Sequence, residues 1–127
     1  MHELKDPIDI DNAEIAKAMG WFQEHGHHPH TWFRRTDTAI VVAHSGSYEW
    51  SGKLNFHRKW ESAMEAVEYF EKKYGVEFVI GRKQVRLIES DPKLINMTFV
   101  ISEKGKLYAV WDCLRCFVGN RINFNKL

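Results

Sequence analysis

Between Asn55 and Gly75 apolar residues return every three or four positions. Trp60, Ala63, Met64, Val67, Phe70 and Tyr74 form one stripe, and Glu61, Glu65, Glu68 and Lys72 fall on the other side. The spacing predicts an amphipathic helix with Trp60 in its buried face. Asn55 can cap its start, Lys72 and Lys73 suit the negative end of its dipole, and Gly75 can take the left-handed turn that ends it. A second stripe of Leu107, Val110, Trp111, Leu114, Phe117 and Val118 predicts a helix from about Lys104 to Arg121, with Gly105 a mild weakness in its first turn. A shorter one is expected from Asp11, where Asp11 and Glu14 read as a capping box; Ile15, Ala16 and Met19 share a face and Gly20 closes it. Met1 to Ile10 has no period and is expected to be a loose arm.

Other stretches carry the pattern of strands. Thr38 to Ala43 is an unbroken apolar run rich in β-branched residues, which predicts a central strand covered on both faces; Trp32 to Arg35 can begin another. Tyr48, Trp50, Leu54 and Phe56 suggest an irregular extended segment. Val76–Ile80 and Gln84–Ile88 flank Gly81-Arg82-Lys83, a hairpin connection; Asp91-Pro92 marks a turn, and Met97–Ile101 returns as a third strand. No repeat or linker interrupts the chain, so residues 1–127 are expected to form a single domain. The expected class is α+β: an α/β/α sandwich, its sheet antiparallel or mixed, with helices on both faces.

Three stretches resemble a family of small phage and prophage proteins with a phage-type α-β-α sandwich domain. Ile15-Ala-Lys-Ala-Met-Gly-Trp21 is similar to that family's opening Ile-Ala-x-Phe-Met-Gly-Trp. Phe56-His57-Arg58-Lys59-Trp60, followed by Met64 and Val67, resembles its Tyr-His-x-x-Trp helix start, and Gly105 to Trp111 resembles its final helix. The chain departs from the pattern at Ala18, Ser62 and Ala63. The resemblance implies a fold and a mobile-element origin, and makes His57 and Trp60 characteristic positions; it carries over no activity and no catalytic residue.

Composition narrows the function classes. With 44% hydrophobic and 28% charged residues the chain is globular rather than disordered, and its formal charge of +1 gives no overall field to hold a polyanion. No run approaches the ~18 apolar residues of a membrane span and the first residues are too polar for a signal peptide, so a soluble, cytoplasmic protein without a membrane partner is expected. Two cysteines are too few for a disulfide framework. Cys113-Leu-Arg-Cys116 lies in helical rather than turn context, which favours core packing of reduced thiols over metal or redox chemistry.

Candidate chemistry is sparse. His25, His27, His28 and His30 could supply metal ligands, but no further ligand is visibly placed to complete a shell, so a solvated loop is expected and no cofactor. Trp32, Arg34 and Arg35 combine a stacking ring with cations, and Arg82-Lys83 sits on the hairpin tip; set against the acidic long helix, nucleic-acid binding is not expected. His57 lies one turn before Glu61, a spacing compatible with a His–carboxylate pair, so His57 and Trp60 remain candidates for ligand binding. Phosphate loops, framed carboxylate pairs and nucleophile triads are absent. The expected function is therefore that of a non-catalytic phage- or prophage-derived accessory protein, acting through its surface on a protein or small ligand. The alternative is a metal-dependent or nucleic-acid-acting enzyme using the His25–His30 loop.

Overall fold

A computed structural model describes residues 6–26, 29–45, 53–89 and 97–123. The chain divides into two compact units, Met1–Leu54 and Asn55–Leu127.

The first unit opens with helix α1 (Pro7–Ala18). Asp6 caps it, its carboxylate accepting from the Ile8 amide at 2.9 Å, and Pro7 takes the first helical position, where a missing N–H costs nothing. The helix thus starts ahead of the expected Asp11 box, and residues 6–10 are cap and helix rather than loose arm; residues 1–5 lie outside the described residues. Ala13, Ile15, Ala16, Ala18 and Met19 are buried. So is Asn12, whose side-chain amide donates to the Leu54 carbonyl at 3.1 Å. At the far end the Gly20 amide bonds the Lys17 carbonyl and the Trp21 amide the Ala16 carbonyl, each at 3.0 Å, turning the chain out of the helix.

Strands β1 (Trp32–Arg35) and β2 (Ile40–His44) pair antiparallel, with Phe33 opposite Val42 and Arg35 opposite Ile40. Thr36 closes the turn between them: its amide donates to the Ala39 carbonyl at 2.7 Å and its hydroxyl accepts from the Ala39 amide at 3.0 Å. The expectation of a central strand over 38–43 is corrected here. This run is half of a two-stranded ribbon, and Ile40 and Val42 are 45% and 54% exposed. An apolar β-branched run satisfies strand propensity, but it cannot by itself say whether anything covers the faces.

In the second unit α2 (Trp60–Tyr74) begins five residues after the expected Asn55 cap. Asn55 still organises the entry: its carbonyl accepts from the Arg58 and Lys59 amides at 2.9 and 3.0 Å, and its side-chain oxygen accepts from the Ser62 hydroxyl at 2.7 Å. Gly75, at φ +69°, ends the helix as its sequence suggests. Ala63, Ala66, Val67 and Phe70 are buried, whereas Trp60 is 43% exposed. The placement of Trp60 in the buried face is therefore corrected. As the first helical residue it has no turn before it, and a helical side chain leans toward the N-terminus, so the indole projects past the helix end.

Strands β3 (Val76–Ile80), β4 (Gln84–Glu89) and β5 (Met97–Val100) form the expected antiparallel meander. Phe78 stands opposite Leu87 and Val85 opposite Phe99; the Asp91-Pro92 turn falls outside the described residues. Helix α3 (Lys106–Phe117) continues into a π-helical turn over Val118–Asn123. Gly105 is its N-cap, at φ +95°, rather than a residue of its first turn. Five of the six predicted stripe residues, Val110, Trp111, Leu114, Phe117 and Val118, are buried, and Leu107 is half-buried. Phe117 gathers the core, its ring 5.4 Å from Phe70, 5.7 Å from Tyr74 and 6.1 Å from Phe78. Both helices thus lie on the sheet face that carries Val76, Phe78, Val85 and Leu87. The class is α+β, with antiparallel sheets and helices packed against the sheet. Among the described residues no helix is long and apolar enough to cross a membrane.

Candidate functional site

The sequence nominates three places, and the structure treats them differently. The histidine loop is drawn together at its base, because Phe22 and Phe33 exchange backbone hydrogen bonds of 2.9 and 2.7 Å. Within it the Gln23 side-chain amide donates to the Pro29 carbonyl. His25 is exposed and His30 half-buried, while His27 and His28 lie outside the described residues. Among the described residues no three His, Cys, Asp or Glu side chains are grouped to hold a metal ion.

The second place, Trp32 to Arg35, does not offer the expected ring. Trp32 and Phe33 are buried in the first unit, and Arg34 and Arg35 are exposed. The Arg35 guanidinium lies 5.1 Å from the centre of the Phe22 ring, a cation–π contact on the ribbon. A flat stacking platform built on Trp32 is excluded by its burial.

The third place gathers more than the sequence assigned to it. The turn Asn55–Arg58 sets half-buried His57 against Trp111 of α3, ring centroids 5.7 Å apart. Trp111 in turn meets Tyr108 at 5.3 Å, and the Lys104 ammonium stands 4.7 Å above the Tyr108 ring. Trp111 is buried and holds the row in place; Tyr108 is half-buried, and exposed Trp60 follows His57 by three residues. On the other flank the Arg115 guanidinium lies 5.4 Å from the Trp111 ring and pairs with Asp112. Tyr108, Trp111 and Arg115 follow one another at three and four residues along α3, and Lys104 precedes Tyr108 by four, in the turn before the helix. That spacing could have been read from the sequence. The partnership with His57 could not, since it joins positions 54 residues apart.

Neither cysteine adds chemistry to this surface. Cys113 is fully buried and Cys116 half-buried. Burial, then the neighbouring Cys116 and Asp112, pushes the Cys113 thiol up to about 12, so it stays protonated and behaves as a small core hydrophobe.

The row His57–Trp111–Tyr108, with the Lys104 ammonium over Tyr108, brings aromatic rings and a cation together. Compared with protein-family models, with curated proteins and with solved structures, the chain gives no match.

Proposed function

We propose that this chain is a non-catalytic binding protein of phage or prophage derivation, an accessory that acts through a surface made by the start of α2 and the outer side of α3. One observation carries the reading: a tryptophan, Trp60, stands 43% exposed at a helix start, three residues after His57, whose ring joins an ordered row. Single exposed apolar residues are common on any protein surface. An exposed indole that follows Lys59 directly and His57 by three residues has the composition of an interaction centre, where aromatic residues are enriched and water is excluded by a partner. The motif resemblance over Phe56 to Trp60 supports the same place and a mobile-element setting.

The test is capture of partners from host lysate by the untagged-surface protein and by a Trp60→Ala, Tyr108→Ala variant. Loss of a specific partner in the variant, with an unchanged thermal melt, is the expected result; equal capture by both proteins contradicts the assignment. The same preparation separates the metal-dependent alternative. Stoichiometric metal in protein purified without a histidine tag, lost when His25, His27, His28 and His30 are replaced by Gln, would move the working site to the histidine loop.

A further inference from the structure

We infer that the surface around Trp60 and Tyr108 takes single-stranded nucleic acid; this rests on the reading of that surface as a binding site and names its partner. From the sequence nucleic acid is not expected, because the long helix is acidic, the basic pairs look isolated and the net charge is small. The fold links one of those pairs, Arg82-Lys83, to the loop of Lys104. The Ile101 amide donates to the Lys83 carbonyl at 3.0 Å, fastening the tip of the β3–β4 hairpin, with exposed Arg82 and Lys83, to the start of the loop that carries Lys104. That loop is itself closed, the Gly105 amide bonding the Ser102 carbonyl at 3.0 Å and the Lys104 amide the Ser102 hydroxyl at 3.2 Å.

From Lys104 the row runs through Tyr108 and Trp111 to His57, and the chain continues through exposed Arg58 and Lys59 to Trp60. Cations therefore stand at both ends, half-buried Tyr108 and His57 lie between them braced by buried Trp111, and exposed Trp60 follows Lys59. Glu61 and Glu103 are the exposed acids next to these residues, Glu65 and Glu68 are exposed further along α2, and Asp112 is engaged by Arg115. This alternation matches the chemistry of a single strand, whose phosphates meet the cations while unpaired bases stack on exposed rings. A duplex hides its base faces, and an acidic protein has no call for the indole and phenol. With a net charge of only +1 on the chain, binding is local, modest and strongly dependent on salt.

The test is fluorescence anisotropy with labelled oligothymidylate and oligouridylate about twenty nucleotides long, enough to span such a site. Saturable binding with a Kd on the order of 10⁻⁵ M at low salt is expected, weakening steeply as salt rises. Trp60→Ala should weaken it roughly tenfold through lost stacking, and Lys83→Glu with Lys104→Glu at least as much. All three side chains are exposed or at a loop, so a melting curve should confirm that the variants fold. Oligothymidylate and oligouridylate bound equally indicate stacking and phosphate contacts alone; preference for one adds recognition of the sugar or of the thymine methyl, and both results support the inference. Tighter binding of a duplex of equal length, or affinity unchanged by both variants, overturns it. Absence of oligonucleotide binding together with Trp60-dependent capture of a protein from nuclease-treated lysate overturns the nucleic-acid inference and leaves the binding-surface reading standing. Absence of both overturns the two together.

Discussion

Met1–Leu54 and Asn55–Leu127 answer the same problem, how to bury apolar stripes, with different means. In the first unit a helix of 12 residues and a two-stranded ribbon supply little to cover one another, and Ile40 and Val42 remain in water. One of its internal fixings is polar, the bond from buried Asn12 to the Leu54 carbonyl. In the second, a three-stranded sheet meets the apolar stripes of two amphipathic helices of 15 and 12 residues, and the Phe70–Phe117–Phe78 cluster fills the space between them. The comparison teaches that strand-forming letters alone do not make a core; a third strand and opposed helix stripes do.

If that contrast is right, the largest loss should come from the aromatic cluster. Phe117→Ala removes a ring that is 1% exposed and touches Phe70, Tyr74 and Phe78, and should cost about 3–5 kcal/mol in a urea melt. A cost under 1 kcal/mol would mean that the second unit is not held by that cluster. Next comes the polar fixing of the first unit. Asn12→Ala leaves the Leu54 carbonyl without this donor and opens a small void, for an expected cost of about 1–3 kcal/mol. Replacement by Leu should not restore it, since the carbonyl then loses its donor to an apolar group.

A smaller effect appears at alkaline pH. The Cys113 thiol is raised from 9.0 to about 12 in the native state, so between those values the unfolded chain has released a proton that the native chain retains. The native state binds more protons there, and stability is full below pH 9 and falls as pH rises through that window, by at most about 1.4 kcal/mol per unit. Cys113→Ala should flatten that slope in melts taken on either side of pH 9. An identical slope in the variant would place the thiol in contact with water. In native protein a thiol reagent should label Cys116 before Cys113.

Much of the second unit was legible in the sequence. The meander over Val76–Val100, the hairpin at Gly81, the end of α2 at Gly75 and the stripe of α3 follow from periodicity and turn residues, which are local signals. The start of α2 was misplaced because Asn55 has the chemistry of a cap yet spends its hydrogen bonds on a preceding turn and on Ser62. The start of α1 was missed because Asp6-Pro7 is itself a cap and first-turn pair, overshadowed by the later Asp11–Glu14 letters. The ribbon was misread because burial is decided by what the chain brings to a strand from elsewhere. The candidate surface was half visible: His57 and Trp60 stood out by motif, whereas Lys104 and Tyr108 were not singled out and Trp111 was read only as part of a buried stripe. Their meeting depends on the packing of α2's entry against α3, which no local pattern encodes.

The central claim is that Trp60 belongs to the working surface and not to the core, and the most direct measurement is a urea melt of Trp60→Ala against the parent protein. An indole that is 43% exposed at a helix start should cost less than about 1 kcal/mol to remove. A loss of about 3 kcal/mol or more, the scale of a buried tryptophan, would return Trp60 to the core and contradict the surface on which the proposed function stands.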